Sequence, residues 1–284
     1  MPCVSPELVL GTAQFEKSYG IVRKTAGDFD ACQLLEIATS LGVNSLDTAP
    51  GYGNAQEIIG SCGWPGLIHT KIPDETKALE SLESSLFLLR RASVDVAYFH
   101  QPRVLQKDHF YFERIHSLVV PSLVKQLGVS IYLPDEFDAA LENPFLSVIQ
   151  TPLNIIDHRI NNVQLNAAAQ MEKKVYARSV FLQGALLQSP NSLPPFLSDL
   201  RPVIEKLDAI ERNTGITRIE ILIQSLLARP GISGLIAGAE SPSQLLKIAG
   251  AFNATIATNE PLRATQSLKI DDPRIIDPRC WPIG

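Results

Sequence analysis

A single (β/α)8 barrel of the TIM-barrel class is the fold this chain predicts, and three observations carry the prediction. Short apolar runs alternate with amphipathic stretches eight times along the chain, an order that predicts a parallel sheet with right-handed crossovers. The length of 284 residues suits one barrel of about 250 residues with an extension. The glycine fingerprint of an open dinucleotide-binding sheet is missing: Gly51-Tyr52-Gly53-Asn54-Ala55-Gln56 begins like it and lacks the third glycine. Residues 1–284 therefore read as one α/β barrel domain, with 252–284 as a C-terminal tail.

The elements follow in order. Leu8–Gly11 is the first strand candidate. Asp28–Leu41 then carries apolar residues at helical spacing and stops at Gly42. Asn44–Thr48, Leu67–Ile72 and Val94–His100 are the next three strands, and Ala78–Ala92 between the last two sets Leu79, Leu82, Leu86 and Leu89 on one helical face. Gly128–Tyr132, Val148–Gln150, Val175–Ser179 and Gly234–Ala239 complete the eight. Thr217–Arg229 has a broad apolar face of Ile219, Leu222, Ile223, Leu226 and Leu227, closed by Pro230-Gly231. After the eighth strand, Ser241 suits an N-cap, Pro242 the first helical position and Gln244 the far side of a capping box.

Composition narrows the function classes. The hydrophobic share is 45% and the charged share 19%, against a usual charged share of about 25%, which favours a well-buried core. Net charge is −5, so nothing points to nucleic acid or an anionic membrane as partner. No apolar run approaches the roughly 18 residues of a membrane span. The opening Met1-Pro2-Cys3-Val4-Ser5-Pro6-Glu7 has no basic region followed by an apolar stretch, so no signal peptide is read there. Cys3, Cys32, Cys62 and Cys280 are scattered without a CxxC pair. They are expected as free thiols in a reducing cytoplasm, with no metal site.

Four polar residues stand where strands end: Asp47, Tyr52 just beyond the same strand, Lys71 and His100. In a barrel the chemistry lies at the carboxyl ends of the strands, and strands two, three and four are neighbours there. Singly, each has a plain structural explanation, as a helix cap, a turn, a rim lysine or a core histidine. Together, an acid, a phenol, an ammonium and an imidazole can protonate a carbonyl oxygen while a hydride arrives on its carbon. Tyr52 would be the acid, its pKa of about 10 brought toward the working range by Lys71. Asp47 would hold Lys71 charged, and His100 would bind the carbonyl oxygen. His69, two residues before Lys71, is expected to fill the barrel interior; His109, His116 and His158 are expected at the surface.

The order Asp47, Tyr52, Lys71, His100, spaced by five, nineteen and twenty-nine residues, resembles the catalytic set of the aldo-keto reductases. The similarity runs from Leu8 to about Ala251. The opening Leu10-Gly11-Thr12-Ala13-Gln14-Phe15, with Tyr19-Gly20-Ile21, resembles a bacterial branch loosely tied to carbohydrate metabolism. What the resemblance implies is NAD(P)H-dependent reduction of a small aldehyde or ketone, with NADP(H) as cofactor and NAD(H) possible.

It also implies where the cofactor lies. Gly11 and Thr12 belong to its site. Ser130 and Gln150 match residues that hold the carboxamide; Arg178, Ser179, Phe181, Gln183 and Gly184 match the nicotinamide and pyrophosphate loop. Gly238, Ala239, Ser241 and Gln244 match the adenosine-phosphate segment. The chain departs from the family pattern in three places: Arg178 replaces an aromatic stacker, Ile131 replaces an asparagine, and Gly238 and Gln244 stand where cations grip a 2′-phosphate. Glu240 is close to that ribose position, and Lys247 lies one helical turn on. The substrate pocket is expected from the loop after strand four, with His109, Phe110, Tyr111 and Phe112, from the loop after strand seven, and from the tail. Trp281 reads either as a cover on the mouth or as packing against an outer helix. Two other functions remain open at this level: a nucleotide-binding sensor with little turnover, and a lyase or aldolase using Lys71 as a Schiff-base amine.

Overall fold

The computed structural model describes residues 5–15, 30–256 and 260–282. Tyr19-Gly20-Ile21, the start of the first predicted helix and Cys3 lie outside the described residues. Strands β1 (Glu7–Gly11), β2 (Ser45–Asp47), β3 (Leu67–Ile72), β4 (Val94–Phe99), β5 (Val124–Ser130), β6 (Val148–Pro152), β7 (Lys174–Arg178) and β8 (Ile232–Gly238) pair in parallel in sequence order. β8 then pairs β1 and closes the barrel. Helices α1 (Ala31–Ser40), α2 (Ala55–Cys62), α3 (Ala78–Leu89), α4 (His109–Val119), α5 (Pro134–Glu142) and α6 (Asn162–Gln170) fill the first six crossovers. α7 (Arg201–Thr214) and α8 (Arg218–Leu227) follow β7; α9 (Pro242–Asn253), α10 (Glu260–Thr265) and α11 (Pro273–Ile276) follow β8.

The two-residue period of each strand sorts its side chains. Leu8, Leu10, Ile68, Ile72, Leu127, Val129, Ile149 and Leu235 face outward into the apolar shell under the helices. Each such buried aliphatic side chain contributes about 1.5–3 kcal/mol over leaving it exposed. Val9, Val96, Tyr98, Val148, Tyr176 and Ile236 form a separate cluster inside the barrel. Two glycines make room for its rings: a Cβ at Gly128 would meet the Tyr98 ring at 2.8 Å, and one at Gly234 the Tyr176 ring at 2.8 Å.

Several expectations are corrected. β5 starts four residues early, at Val124, because Lys125 and Gln126 sit at its open amino end, where Lys125 pairs with Asp95 of β4 at 2.7 Å. His109, Phe110, Tyr111 and Phe112 open helix α4, capped by Asp108, rather than forming a pocket loop. Phe112 is buried in the shell and Phe110 is exposed. The capping box after β8 forms only half: Ser241 Oγ accepts from Gln244 N, while Gln244 Oε1 accepts from Glu240 N rather than from the cap residue itself. Cys32 and Cys62 are not free thiols. They form a disulfide joining α1 to α2, with Cα atoms 5.4 Å apart. A separation of 30 residues hides such a bridge from spacing rules, because only the closed ring of helices brings the two together. Cys280 alone is free among the described cysteines. No helix among the described residues is long and apolar enough to cross a membrane.

Candidate active site

The inward positions at the carboxyl ends of the strands open into a cavity of about 620 Å³. β2 delivers Asp47 and β3 delivers Lys71 to its floor, both almost wholly buried. Lys71 Nζ lies 2.7 Å from both carboxylate oxygens of Asp47 and donates to Thr48 O at 3.2 Å. That is how a charged lysine is held; an amine nucleophile must be neutral, so the arrangement speaks against Schiff-base chemistry. Gln150, on the opposite strand β6, donates Nε2 to Asp47 Oδ1 at 2.7 Å, straight across the barrel. Thr12 fixes the backbone of the same residue, its N–H and hydroxyl both donating to Asp47 O.

Tyr52 stands on the turn between β2 and α2, its N–H bonded to Ala49 O at 3.0 Å, and the Lys71 ammonium lies 5.4 Å from its ring centre. The expectation that Lys71 lowers this phenol is not met. Burial, followed by the Asp47 carboxylate, pushes Tyr52 well above its ordinary value, and Arg178 opposes them. The physical reason is chiefly burial, which disfavours the charged phenolate, with the Asp47 carboxylate adding to it. Tyr52 is therefore a protonated donor. His100 follows β4, with its N–H on Ile72 O. Burial, then Lys71 and Arg178, push it down to about 4, so it is a neutral imidazole near pH 7, able to donate one hydrogen bond.

Of the residues expected at the cofactor, Gly11, Ser130, Gln150, Arg178, Ser179, Phe181, Gln183, Gly184, Gly238 and Gln244 line this same cavity. Thr12, Ala239 and Ser241 do not: Thr12 is buried on Asp47 O, Ala239 is buried in the shell, and Ser241 serves as the cap of α9. Gln150 and Ser130 contact each other at 3.4 Å, and the Gln150 amide nitrogen is already engaged by Asp47. The loop after β7 turns back on itself through positive φ at Ser179, Leu182, Gln183 and Gly184. Near β8 the side chain of Gln14 lies over Gly238, where a Cβ would meet it at 2.0 Å.

Among the lining residues that the sequence reading missed are Tyr132 and Arg279. The guanidinium carbons of Arg178 and Arg279 lie 4.2 and 3.4 Å from the centre of the Tyr132 ring. Tyr132 carried a signal, its place just beyond β5. Arg279 carried none, since it arrives on the folded-back tail. Trp281 packs beside Phe196 in the cluster under α7, donating Nε1 to Ile275 O at 3.2 Å. Pro278 and Arg279, rather than Trp281, reach the cavity.

The model of the Aldo/keto reductase family matches residues 7–268. The chain belongs to that family. It is thus an oxidoreductase acting on small carbonyl substrates, in a family that binds nicotinamide cofactors. Among its relatives, the oxidoreductase YqkF of Bacillus subtilis is 23% identical over 84% of this chain and 87% of its own length. The 6-dehydroglucose reductase of Novosphingobium aromaticivorans is 26% identical over 78% and 80%. In solved structures, the fold matches the aldo-keto reductase AKR11C1 of Bacillus halodurans with a TM-score of 0.74 at 20% identity, covering 92% of this chain and 91% of that one.

Proposed function

We propose that this aldo-keto reductase reduces an aldehyde or ketone using NADP(H), with NAD(H) also accepted, and that Tyr52 is the proton donor. The observation that carries the reading is the Lys71–Asp47 pair, buried at the cavity floor beneath Tyr52. A reduced nicotinamide supplies the hydride that the carbonyl carbon takes up. His100, kept neutral, donates to the carbonyl oxygen and holds it beside Tyr52. Tyr52 passes its proton to that oxygen as negative charge grows there. Even a phenol held above its usual value can do this, because an alkoxide is the stronger base. The resulting phenolate is then stabilised by Lys71, which Asp47 and Gln150 hold in place. Positioned proton transfer of this kind contributes about 10²–10⁴-fold.

The lining fits a dinucleotide. The first turn of α9 offers backbone N–H groups, Gly238 permits close approach once the Gln14 side chain moves aside, and the turn of Ser179–Gly184 borders the cavity. At the β8 end the lining holds Glu240 and Gln244 and, among the described residues, no lysine or arginine. Lys247 is exposed on α9 and lies outside the lining. A 2′-phosphate therefore meets an acid and no cation, which supports ready use of NADH. A sugar-related carbonyl is supported by the name of the Novosphingobium relative.

Fluorescence titration with NADPH and NADH in parallel, followed by turnover of an aldehyde panel with wild type and Tyr52→Phe, tests the reading. Both nucleotides are expected to bind, and the variant should bind them while losing about 10²–10⁴-fold in kcat. Reduction by Tyr52→Phe at the wild-type rate would remove Tyr52 from its role. Nucleotide binding with no turnover of any carbonyl would favour a binding module instead.

A further inference from the structure

Four lining residues can carry positive charge: Lys71, His100, Arg178 and Arg279. Three are accounted for. Lys71 rests on Asp47. Arg279 makes a two-point pair with Asp277, Nε to Oδ1 at 2.9 Å and Nη2 to Oδ2 at 2.6 Å. His100 is neutral near pH 7, for the reasons given above.

Arg178 is the exception, with no carboxylate partner among the described residues. Its Nη2 donates to Ile131 O at 3.3 Å, and its guanidinium lies over Tyr132. A guanidinium has five N–H donors in a planar fork, so most of this one's donors have no protein acceptor among the described residues. It is only half-buried and borders the cavity.

Position decides what those donors are for. Arg178 ends β7 on the face of Tyr176, two residues earlier, so it points toward the barrel axis. From there it reaches past β6 to the residues that follow β5, away from β8, where Gly238 and α9 offer backbone to phosphate. Its charge is felt at both Tyr52 and His100. The cation therefore lies at the end of the cavity shared by the reacting carbonyl and the nicotinamide, not at the adenosine end.

We propose that Arg178 binds a carboxylate carried by the substrate a few bonds from its reacting carbonyl, so that this site prefers aldehyde or keto acids over neutral carbonyls. The inference rests on the carbonyl-reduction reading above. A single guanidinium matches one carboxylate through two parallel hydrogen bonds, whereas a phosphate dianion would call for a second cation. Arg279 does not supply one, because Asp277 neutralises it.

The test compares succinic semialdehyde with butyraldehyde, equal in length and differing in the acid group, on wild type, Arg178→Gln and Arg178→Lys. Wild type is expected to favour the acid in kcat/KM. Arg178→Gln should reduce the acid-to-neutral ratio by about ten- to hundredfold, and Arg178→Lys should restore part of it. Equal losses on both substrates, or a weakened nucleotide Kd with the ratio unchanged, overturn the proposal and assign Arg178 to the cofactor. Higher kcat/KM for an aldehyde phosphate than for the aldehyde acid overturns the choice of carboxylate. Calorimetry with 4-hydroxybutyrate on the same three proteins separates this inference from the reading beneath it. If wild type reduces no carbonyl, that reading falls. Binding of the hydroxy acid that Arg178→Gln abolishes still sustains the anion site, and no binding overturns it.

Discussion

The barrel axis holds two polar layers, one above the other, built from the same strands. β2 contributes Ser45 to the lower and Asp47 to the upper; β3 contributes His69 and Lys71; β7 contributes Tyr176 and Arg178. In the lower layer an acid, Glu7, is satisfied by neutral hydroxyls: Ser45 Oγ donates at 2.5 Å, and Tyr176 OH donates to the other oxygen. His69 closes this layer, 3.3 Å from Tyr98 OH and edge-on to the Tyr176 ring at 5.0 Å. In the upper layer the acid is paired with an ammonium, and a phenol, an imidazole and a guanidinium face open space. A step of two residues along a strand thus separates packing from chemistry. Polarity in a barrel interior is not by itself a sign of function. What distinguishes the upper layer is a buried ion pair under the large cavity, with donors left for a ligand.

The largest expected effect is at the pair itself. Lys71→Met should lower kcat by about 10²–10⁴-fold, because the phenolate loses its cation and Asp47 is left buried without its main partner. Asp47→Asn should cost less, since the ammonium survives. The double variant should be little worse than Lys71→Met alone, as residues acting as one unit are not additive. Steady-state kinetics on the three variants, with folding checked by circular dichroism, would show this. Losses that add in log kcat would mean the pair is no unit and would erase the contrast between the layers.

An intermediate effect is expected below. Tyr176→Phe removes a donor from Glu7 and should cost about 1–3 kcal/mol of stability, read as a lower urea midpoint, with kcat within about twofold of wild type. A large kcat loss with little change in stability would place the lower layer in the chemistry.

The smallest effect on turnover concerns the two histidines. His69 is pushed to about 4, by burial first, as His100 is. Each folded-state pKa lies below the ordinary 6.5, so the unfolded chain takes up protons first as pH falls. Their contribution to stability is complete above pH 6.5 and is lost between there and about 4. Thermal melts should be flat from pH 8 to 6.5 and fall below it, and kcat/KM should show no histidine break near 6.5. A break at that pH abolished by His100→Gln would show that His100 works as a cation instead.

Much of this molecule was legible before its structure. Strand and helix periods are local properties, set by side-chain alternation and backbone geometry within about ten residues, so the eight strands and their order could be read directly. The strand-end placement of Asp47, Lys71 and His100 follows from the same period, because a barrel turns it into a shared direction. Other features needed distant parts of the chain to meet. Gln150 reaches Asp47 only because β2 and β6 face each other across a closed barrel. Cys32 meets Cys62 only because α1 and α2 are neighbours in the ring. The direction of the Tyr52 shift depended on burial and on the Asp47 carboxylate, and Arg279 reached Tyr132 along a tail whose path no local pattern encodes. By itself the sequence determined the barrel, its strand order and the strand-end placement of Asp47, Lys71 and His100, since each rests on short-range periodicity. Tertiary structure alone decided which charges are paired, which donors remain for a ligand and which cysteines are joined, because those depend on distances between residues far apart in the chain.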